Sequence, residues 1–224
     1  MPERPFCYVR AMAEIEIIEN ASDEDIAGWL EREVLAPLLS DGREVKIAVP
    51  GGSTPFPIFE ELTRRNLDFA RLMIWPTDDR IVPEDHAASN TGKIRAIFEP
   101  RGATVFALDN APVPTLPSLF DLVWLGMGAD GHIASLFPNV PHDLCETGLI
   151  QRIRPDPLPP EAPFDRITLT MPVLANCRRM IFVMRGEEKR RVFDAAANGE
   201  GDLPIARLMR KLHATHGVRV TCFT

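Results

Sequence analysis

The run Asp121-Leu122-Val123-Trp124-Leu125 stops abruptly at Gly126-Met127-Gly128-Ala129-Asp130-Gly131-His132. The apolar stretch is too short for an amphipathic helix and lacks polar alternation. It reads as a strand buried on both faces, central in a parallel sheet. Two further short apolar runs end the same way. Val45–Val49 enters Pro50-Gly51-Gly52-Ser53-Thr54-Pro55, and Leu72–Trp75 enters Pro76-Thr77-Asp78-Asp79-Arg80. Strand, polar turn, helix is half of a βαβ unit. Its repetition predicts an α/β fold: a layered, mostly parallel, Rossmann-like sheet flanked by helices.

The remaining pattern fills in that fold. Cys7–Ile18 alternates weakly, as an edge strand does. Ser22 caps a helix with Asp25 at its third position, and Ile26, Trp29, Leu30, Val34 and Leu38 form its apolar stripe. Helices are predicted over Pro57–Thr63, Ala87–Phe98 and Glu187–Ala197, and after Pro204, where Ile205, Leu208, Met209 and Leu212 share a face. Ile133–Phe137 reads as the start of another. Further strands are predicted at Ala103–Leu108, Ile167–Met171, Met180–Met184 and Val218–Phe223. Ala111–Pro117 is a Pro-rich link. Pro155–Pro163 holds five prolines in nine residues and reads as a stiff surface excursion. No linker or repeat divides the 224 residues, so a single domain over 1–224 is expected.

Charge and cysteine usage narrow the function. With 25 Lys and Arg against 32 Asp and Glu, the formal charge is −7, which argues against nucleic-acid or anionic-membrane partners. It leaves room for a local basic pocket. Cys7, Cys145, Cys177 and Cys222 are widely spaced, without a CxxC, as reduced thiols in the cytoplasm would be. The N-terminus carries charges within any apolar stretch and is not a signal peptide; no run is long enough to span a membrane.

In open α/β sheets, the loops at the carboxyl ends of strands build the ligand site. Gly51-Gly52-Ser53-Thr54 offers backbone N–H groups, two hydroxyls and a helix N-terminus, a setting suited to phosphate. It matches neither GxGxxG nor GxxxxGK[ST]. An ordinary turn with a Ser cap is the alternative. Asp78 and Asp79 are adjacent carboxylates, and neighbours at a turn diverge, so one of them is expected to face a cleft. Arg80 pairs with a carboxylate or steadies an anion. Ser89 and Asn90 cap a helix or bind ligand; His86 alone says little. In the third loop Asp130 and His132 stand two apart among glycines 126, 128 and 131, and the imidazole is the natural proton acceptor near neutral pH. No cluster has metal-ligand spacing. Without a G-x-S-x-G elbow, Ser53 and Ser135 are poor nucleophiles. Arg166, Lys189 and Arg190 would complete an anion pocket or sit on the surface.

Taken in order, several segments resemble the 6-phosphogluconolactonase family. They are Gly51-Gly52-Ser53-Thr54-Pro55; Asp78-Asp79-Arg80 with Val82, Ser89 and Asn90; and Leu125 through His132 to Ser135-Leu136-Phe137-Pro138. Arg166-Ile167-Thr168, Gly186-Glu187-Glu188-Lys189 and Leu203-Pro204-Ile205-Ala206 are similar too. The resemblance implies a fold like that of glucosamine-6-phosphate deaminase and ribose-5-phosphate isomerase. It implies hydrolysis of 6-phospho-D-glucono-1,5-lactone to 6-phospho-D-gluconate, the second step of the oxidative pentose phosphate pathway, with neither metal nor organic cofactor, and it permits a monomer. On this resemblance His132 is the base and Asp130 orients it or a sugar hydroxyl. Gly51, Gly52, Ser53, Thr54, Asp78, Arg80, Asn90, Gly128, Arg166 and Lys189 hold the substrate. Two residues depart from the family pattern. Asp79 stands where Glu is common, and its shorter side chain would weaken a salt bridge or shift Arg80. Ile133 replaces Thr, losing a hydroxyl. Phe137 occupies the place of a Glu in the deaminase-like pattern, which sets the deaminase behind the lactonase. A non-catalytic sugar-phosphate-binding protein is the other alternative.

Overall fold

The computed structural model describes residues 14–108, 116–157, 162–215 and 217–224. Among the described residues, ten strands form two sheets. The larger sheet has seven strands, every adjacent pair parallel: β1 (Glu14–Ile18), β10 (Arg219–Phe223), β9 (Cys177–Val183), β6 (Phe120–Leu125), β2 (Val45–Val49), β3 (Leu72–Pro76) and β5 (Thr104–Val105), in that order. The smaller sheet, antiparallel, runs β4 (Asp78–Arg80), β8 (Arg166–Leu169), β7 (Ile150–Ile153).

The predicted parallel sheet is thus present, and β6 is near its middle and buried along its whole length. Alternation sends its side chains to two cores. Val123 and Leu125 join one, while Leu122 and Trp124 join the other; Phe182 and Ile181 divide likewise on β9. One face is covered by α1 (Asp23–Trp29), α3 (Pro55–Thr63) and α4 (Asn90–Phe98). They contribute Ile26, Ala27, Phe59, Leu62, Ile94 and Phe98. The other face is covered by α6 (Met171–Ala175), α7 (Glu187–Ala197) and α8 (Pro204–Ala214), through Leu174, Phe193, Leu208, Met209 and Leu212.

Local chemistry explains several boundaries. Ser22 accepts from Asp25 N at 3.1 Å while Asp25 Oδ2 accepts from Ser22 N at 3.0 Å, a reciprocal cap. Helix α1 continues through a π-wound stretch, Leu30–Leu35, into α2 (Ala36–Ser40). Pro37 has no N–H to offer the carbonyl four residues back and its ring crowds that position, so the preceding turn widens.

The sequence-based expectations need correction in four places. Asp78–Arg80 is not a turn but a strand of the second sheet. Ile133–Phe137 starts no helix; Ile133 forms isolated β-bridges with Met127 and Leu136, and the short α5 follows only at His142–Glu146. The helix expected from Ala87 begins at Asn90, because Ser89 caps it by accepting from Gly92 N at 3.0 Å. The strand expected over Ala103–Leu108 shortens to Thr104–Val105 at the sheet edge. Cys7 and most of the Pro-rich link lie outside the described residues, as do residues 158–161. Cys145, Cys177 and Cys222 are free and buried, with burial pushing the Cys177 thiol up to about 12. Among the described residues no helix is long and apolar enough to cross a membrane.

Candidate active site

Register places the site. Val49 pairs with Pro76, and Leu125 pairs with Phe182, so the carboxyl ends of β2, β3, β6 and β9 share one edge. From β2 the chain moves outward through β3 to β5, then returns to β6 on the opposite side of β2. Such a switch point opens a crevice between the loops that leave the two diverging strands. A cleft of about 250 Å³ lies there. It is lined by Gly51, Gly52, Ser53 and Thr54 after β2, by Asp78, Arg80 and Asn90 beyond β3, by Gly126, Met127, Gly128, His132 and Ala134 after β6, and by Lys189 of α7.

The first wall is the glycine turn. Gly52 has φ +104°, a conformation that disfavours any side chain. Thr54 occupies the cap position of α3 but makes no side-chain cap bond, so the predicted alternative of a serine-type cap is not realised. The Gly51–Thr54 backbone and the hydroxyls of Ser53 and Thr54 border the cleft just ahead of α3, whose first residue there, Pro55, brings no N–H; the turn itself is the favourable setting for an anion. A Cβ on Gly51 would fall 1.9–2.4 Å from the Asn90 carboxamide. Gly51 is therefore what lets Asn90 close on this turn.

The second wall is β4. Its two aspartates part company as pleated-strand neighbours must. Asp79 is buried and accepts from Asn90 N at 2.6 Å, Thr91 N at 2.8 Å, Thr91 Oγ1 at 2.6 Å, Arg80 N at 2.7 Å and Ser89 Oγ at 3.3 Å. It anchors the N-terminus of α4, and makes no ion pair with the Arg80 guanidinium. Asp78 lines the cleft, and Ser135 Oγ donates to its Oδ2 at 2.5 Å. Desolvation raises the Asp78 pKa above its ordinary value, opposed by the Ser135 hydrogen bond and by Arg80. Arg80 Nη1 donates to Ala88 O at 2.9 Å and to Asn90 Oδ1 at 3.2 Å, while Asn90 Nδ2 donates to Asp78 O at 2.9 Å. These bonds hold the Arg80 guanidinium on the cleft wall.

The third wall carries the imidazole. Asp130 Oδ1 lies 2.6 Å from His132 Nδ1 and accepts from His132 N at 3.2 Å. An ionised carboxylate can only accept, so a neutral imidazole bonded to it this way carries its proton on Nδ1 and presents Nε2 as the acceptor. Phe137 packs against the ring, with centroids 4.8 Å apart. A Cβ on Gly128 would lie 2.3 Å from His132 Nδ1 and 2.4 Å from Asp130 Oδ1, so the pair exists in this form only above a glycine. Ile133 is fully buried and its departure from Thr removes nothing from the cleft. Lys189, in the first turn of α7, is half-buried and forms no ion pair among the described residues.

Arg166 is placed differently from the other predicted substrate contacts. It pairs with Arg80 across the β4–β8 ladder but is 4% exposed and does not line the cleft. Its Nη2 donates to Ala162 O at 2.8 Å, and Nη1 has no protein partner. His86 is occupied structurally: its Nδ1 accepts from Ala88 N and its ring packs on Phe164. Sequence reasoning passed over Trp124 and Val183, which line the cleft where their strands end. It also passed over Ser135 except as a nucleophile. Among the described residues no three His, Cys, Asp or Glu side chains converge on a possible metal position.

A family model described as glucosamine-6-phosphate isomerases/6-phosphogluconolactonase matches residues 21–216. The 6-phosphogluconolactonase of Neisseria meningitidis is 33% identical over 184 residues, 71% of this chain and 77% of that protein. That of Pseudomonas aeruginosa is 31% identical over 195 residues, 79% and 82% of the two chains. The crystal structure of a 6-phosphogluconolactonase from Shewanella baltica superposes with a TM-score of 0.76 at 26% identity, covering 95% of this chain and 98% of that one.

Proposed function

Since this chain belongs to the family of glucosamine-6-phosphate isomerases and 6-phosphogluconolactonases, we propose that it hydrolyses 6-phospho-D-glucono-1,5-lactone to 6-phospho-D-gluconate. The observation that carries the reading is a single cleft shared by the His132 imidazole, the Gly51–Thr54 turn and two cations, Arg80 and Lys189. A base and an anion cradle together suit a substrate with a hydrolysable bond at one end and a phosphate at the other.

In this reading the phosphate rests on the amides and hydroxyls of Gly51–Thr54, with Arg80 and Lys189 as charge partners. Arg166 contributes from behind Arg80, as charge and not as a contact. His132 Nε2 takes a proton from water as the water oxygen attacks C1. Asp130 holds the ring and favours the imidazolium that forms. The C1–ring oxygen bond then breaks, and the imidazolium returns its proton to that oxygen, which leaves as the C5 hydroxyl. The amides of Gly128 and Gly131 are engaged with His132 O and Gly128 O, and that of His132 with Asp130. The carbonyl oxygen must draw on other donors as charge develops. Phe137 beside the imidazole favours the lactonase over the deaminase, since it brings no carboxylate to the reacting ring.

The test is direct lactone hydrolysis with freshly generated substrate, spontaneous hydrolysis subtracted, and glucosamine 6-phosphate assayed in parallel. Turnover of the lactone alone is expected. Parental rates in folded His132→Asn would remove the base from this scheme, and a rate at background in the parental protein would remove the function.

A further inference from the structure

We propose that Ser135 is a positioning residue of the cleft: its hydroxyl ties the loop carrying His132 to the strand carrying Arg80, through Asp78. The effect on turnover rests on the lactonase reading; the bond itself does not.

Ser135 is 1% exposed, between the fully buried Ile133 and Leu136 and the cleft-lining Ala134. A hydroxyl in such surroundings is unfavourable unless its hydrogen bonds are met. Here the hydroxyl is met: Ser135 Oγ donates to Asp78 Oδ2 at 2.5 Å, while the Ser135 backbone N donates to Thr168 Oγ1 at 3.3 Å. One residue therefore links the loop after β6 to both β4 and β8. The backbone is bent to permit it. Ala134 has φ +47°, unfavourable for a residue with a side chain, and this turns Ser135 inward while leaving Ala134 on the cleft wall.

The partner matters as much as the link. Asp78 faces the cleft with Asp79 and Arg80 beside it on β4 and Arg166 next to it on β8. His132 and Lys189 border the same cleft. Burial favours its protonated form, whereas the serine hydroxyl favours the carboxylate. Ser135 thus helps keep Asp78 an acceptor, able to take hydrogen bonds from sugar hydroxyls, and fixes its place relative to His132.

Ser135→Ala and the hydroxyl-retaining Ser135→Thr separate this role from packing. Two readouts are needed: kcat and KM for lactone hydrolysis between about pH 5.5 and 7.5, and titration of the Asp78 carboxyl by NMR in protein labelled at aspartate, assigned with Asp78→Asn. For Ser135→Ala the Asp78 titration should move upward. Loss of a hydrogen bond to a charged group should lower kcat/KM about tenfold at the acidic end, with the deficit narrowing as pH rises. Ser135→Thr should restore both. If Ser135→Ala does not fold, Ser135→Cys, close in size with a weaker donor, replaces it in both readouts. An unmoved Asp78 titration overturns the proposal, as does a loss equal at every pH that follows the fall in thermal stability. A moved titration with no lactone turnover in the parental protein would instead remove the functional reading and leave the bond standing.

Discussion

Gly128→Ala is a test in which one methyl group reaches the His132–Asp130 pair and little else. The new Cβ would sit 2.3 Å from His132 Nδ1 and Cε1 and 2.4 Å from Asp130 Oδ1, whereas ordinary contact starts at 3.4 Å. The ring and the carboxylate must retreat by about 1 Å. A misplacement of that size costs on the order of 100-fold in rate, about 2.7 kcal/mol of transition-state stabilisation. Folding should survive, because Gly128 lies outside the left-handed region that excludes alanine and the atoms displaced are ends of side chains. The assay is background-subtracted lactone hydrolysis alongside a thermal melt: kcat should fall about 100-fold with KM within threefold and a small change in Tm. On a His132→Asn background the same change should add almost nothing, since both act on one interaction. Parental kcat in Gly128→Ala would refute the argument that the imidazole works from its position over Gly128.

The other expectations concern binding and stability. Lys189→Ala and Arg80→Ala should raise KM by about 10- to 100-fold each, as a charge-assisted bond worth about 1.5–3 kcal/mol is lost, with kcat less affected; steady-state kinetics decides. Asp79→Ala strips the start of α4 of an acceptor for two buried amides and two hydroxyls and should cost about 3 kcal/mol or more in denaturant unfolding. Asp78 should behave in the opposite sense. Its pKa is raised in the folded protein above the ordinary 3.8, so it supports stability below that value and this support is lost as pH rises through the higher folded pKa. Asp78→Asn should then melt higher than the parent near pH 7 and lose that advantage near pH 3, while activity falls.

Much of the fold was legible because the strands that matter most are buried on both faces. Val45–Val49 and Phe120–Leu125 need no polar alternation, and their apolar runs end where the sheet ends. Helices with one apolar stripe and a clear start were equally plain: Glu187–Ala197 matches in full, and α8 starts at Pro204. What could not be read was the second sheet. Asp78-Asp79-Arg80 has no β-propensity of its own; it is a strand because Arg166, Ile167 and Thr168 lie opposite it, more than eighty residues later. Ile133–Phe137 misled for a related reason. Its apolar residues are held by bridges inside a loop that folds back on Met127, a tertiary constraint that no local periodicity carries. Of the predicted substrate contacts, Arg166 was the one whose burial the sequence concealed, since an Arg at a strand start looks equally suited to surface, cleft or core.

The two aspartates of β4 show why a site cannot be read from residue types alone. As a turn, Asp78-Asp79 would send one carboxylate toward a ligand because adjacent turn residues diverge. As a strand, it places only Asp78 on the cleft because successive side chains point to opposite faces. The strand geometry also gives the buried partner a task. Asp79 uses both oxygens on α4, and the Asn90 that it fixes by the backbone bonds to Arg80 and lies against Gly51. The aspartate that does not line the cleft thereby sets where Arg80 and the Gly51–Thr54 turn stand. The shorter side chain at position 79, expected to weaken a salt bridge to Arg80, has no such bridge to weaken, and a longer acid there would have to re-form its bonds to α4 from farther out. Fit to the helix terminus, and not charge pairing, is the physical constraint on that position.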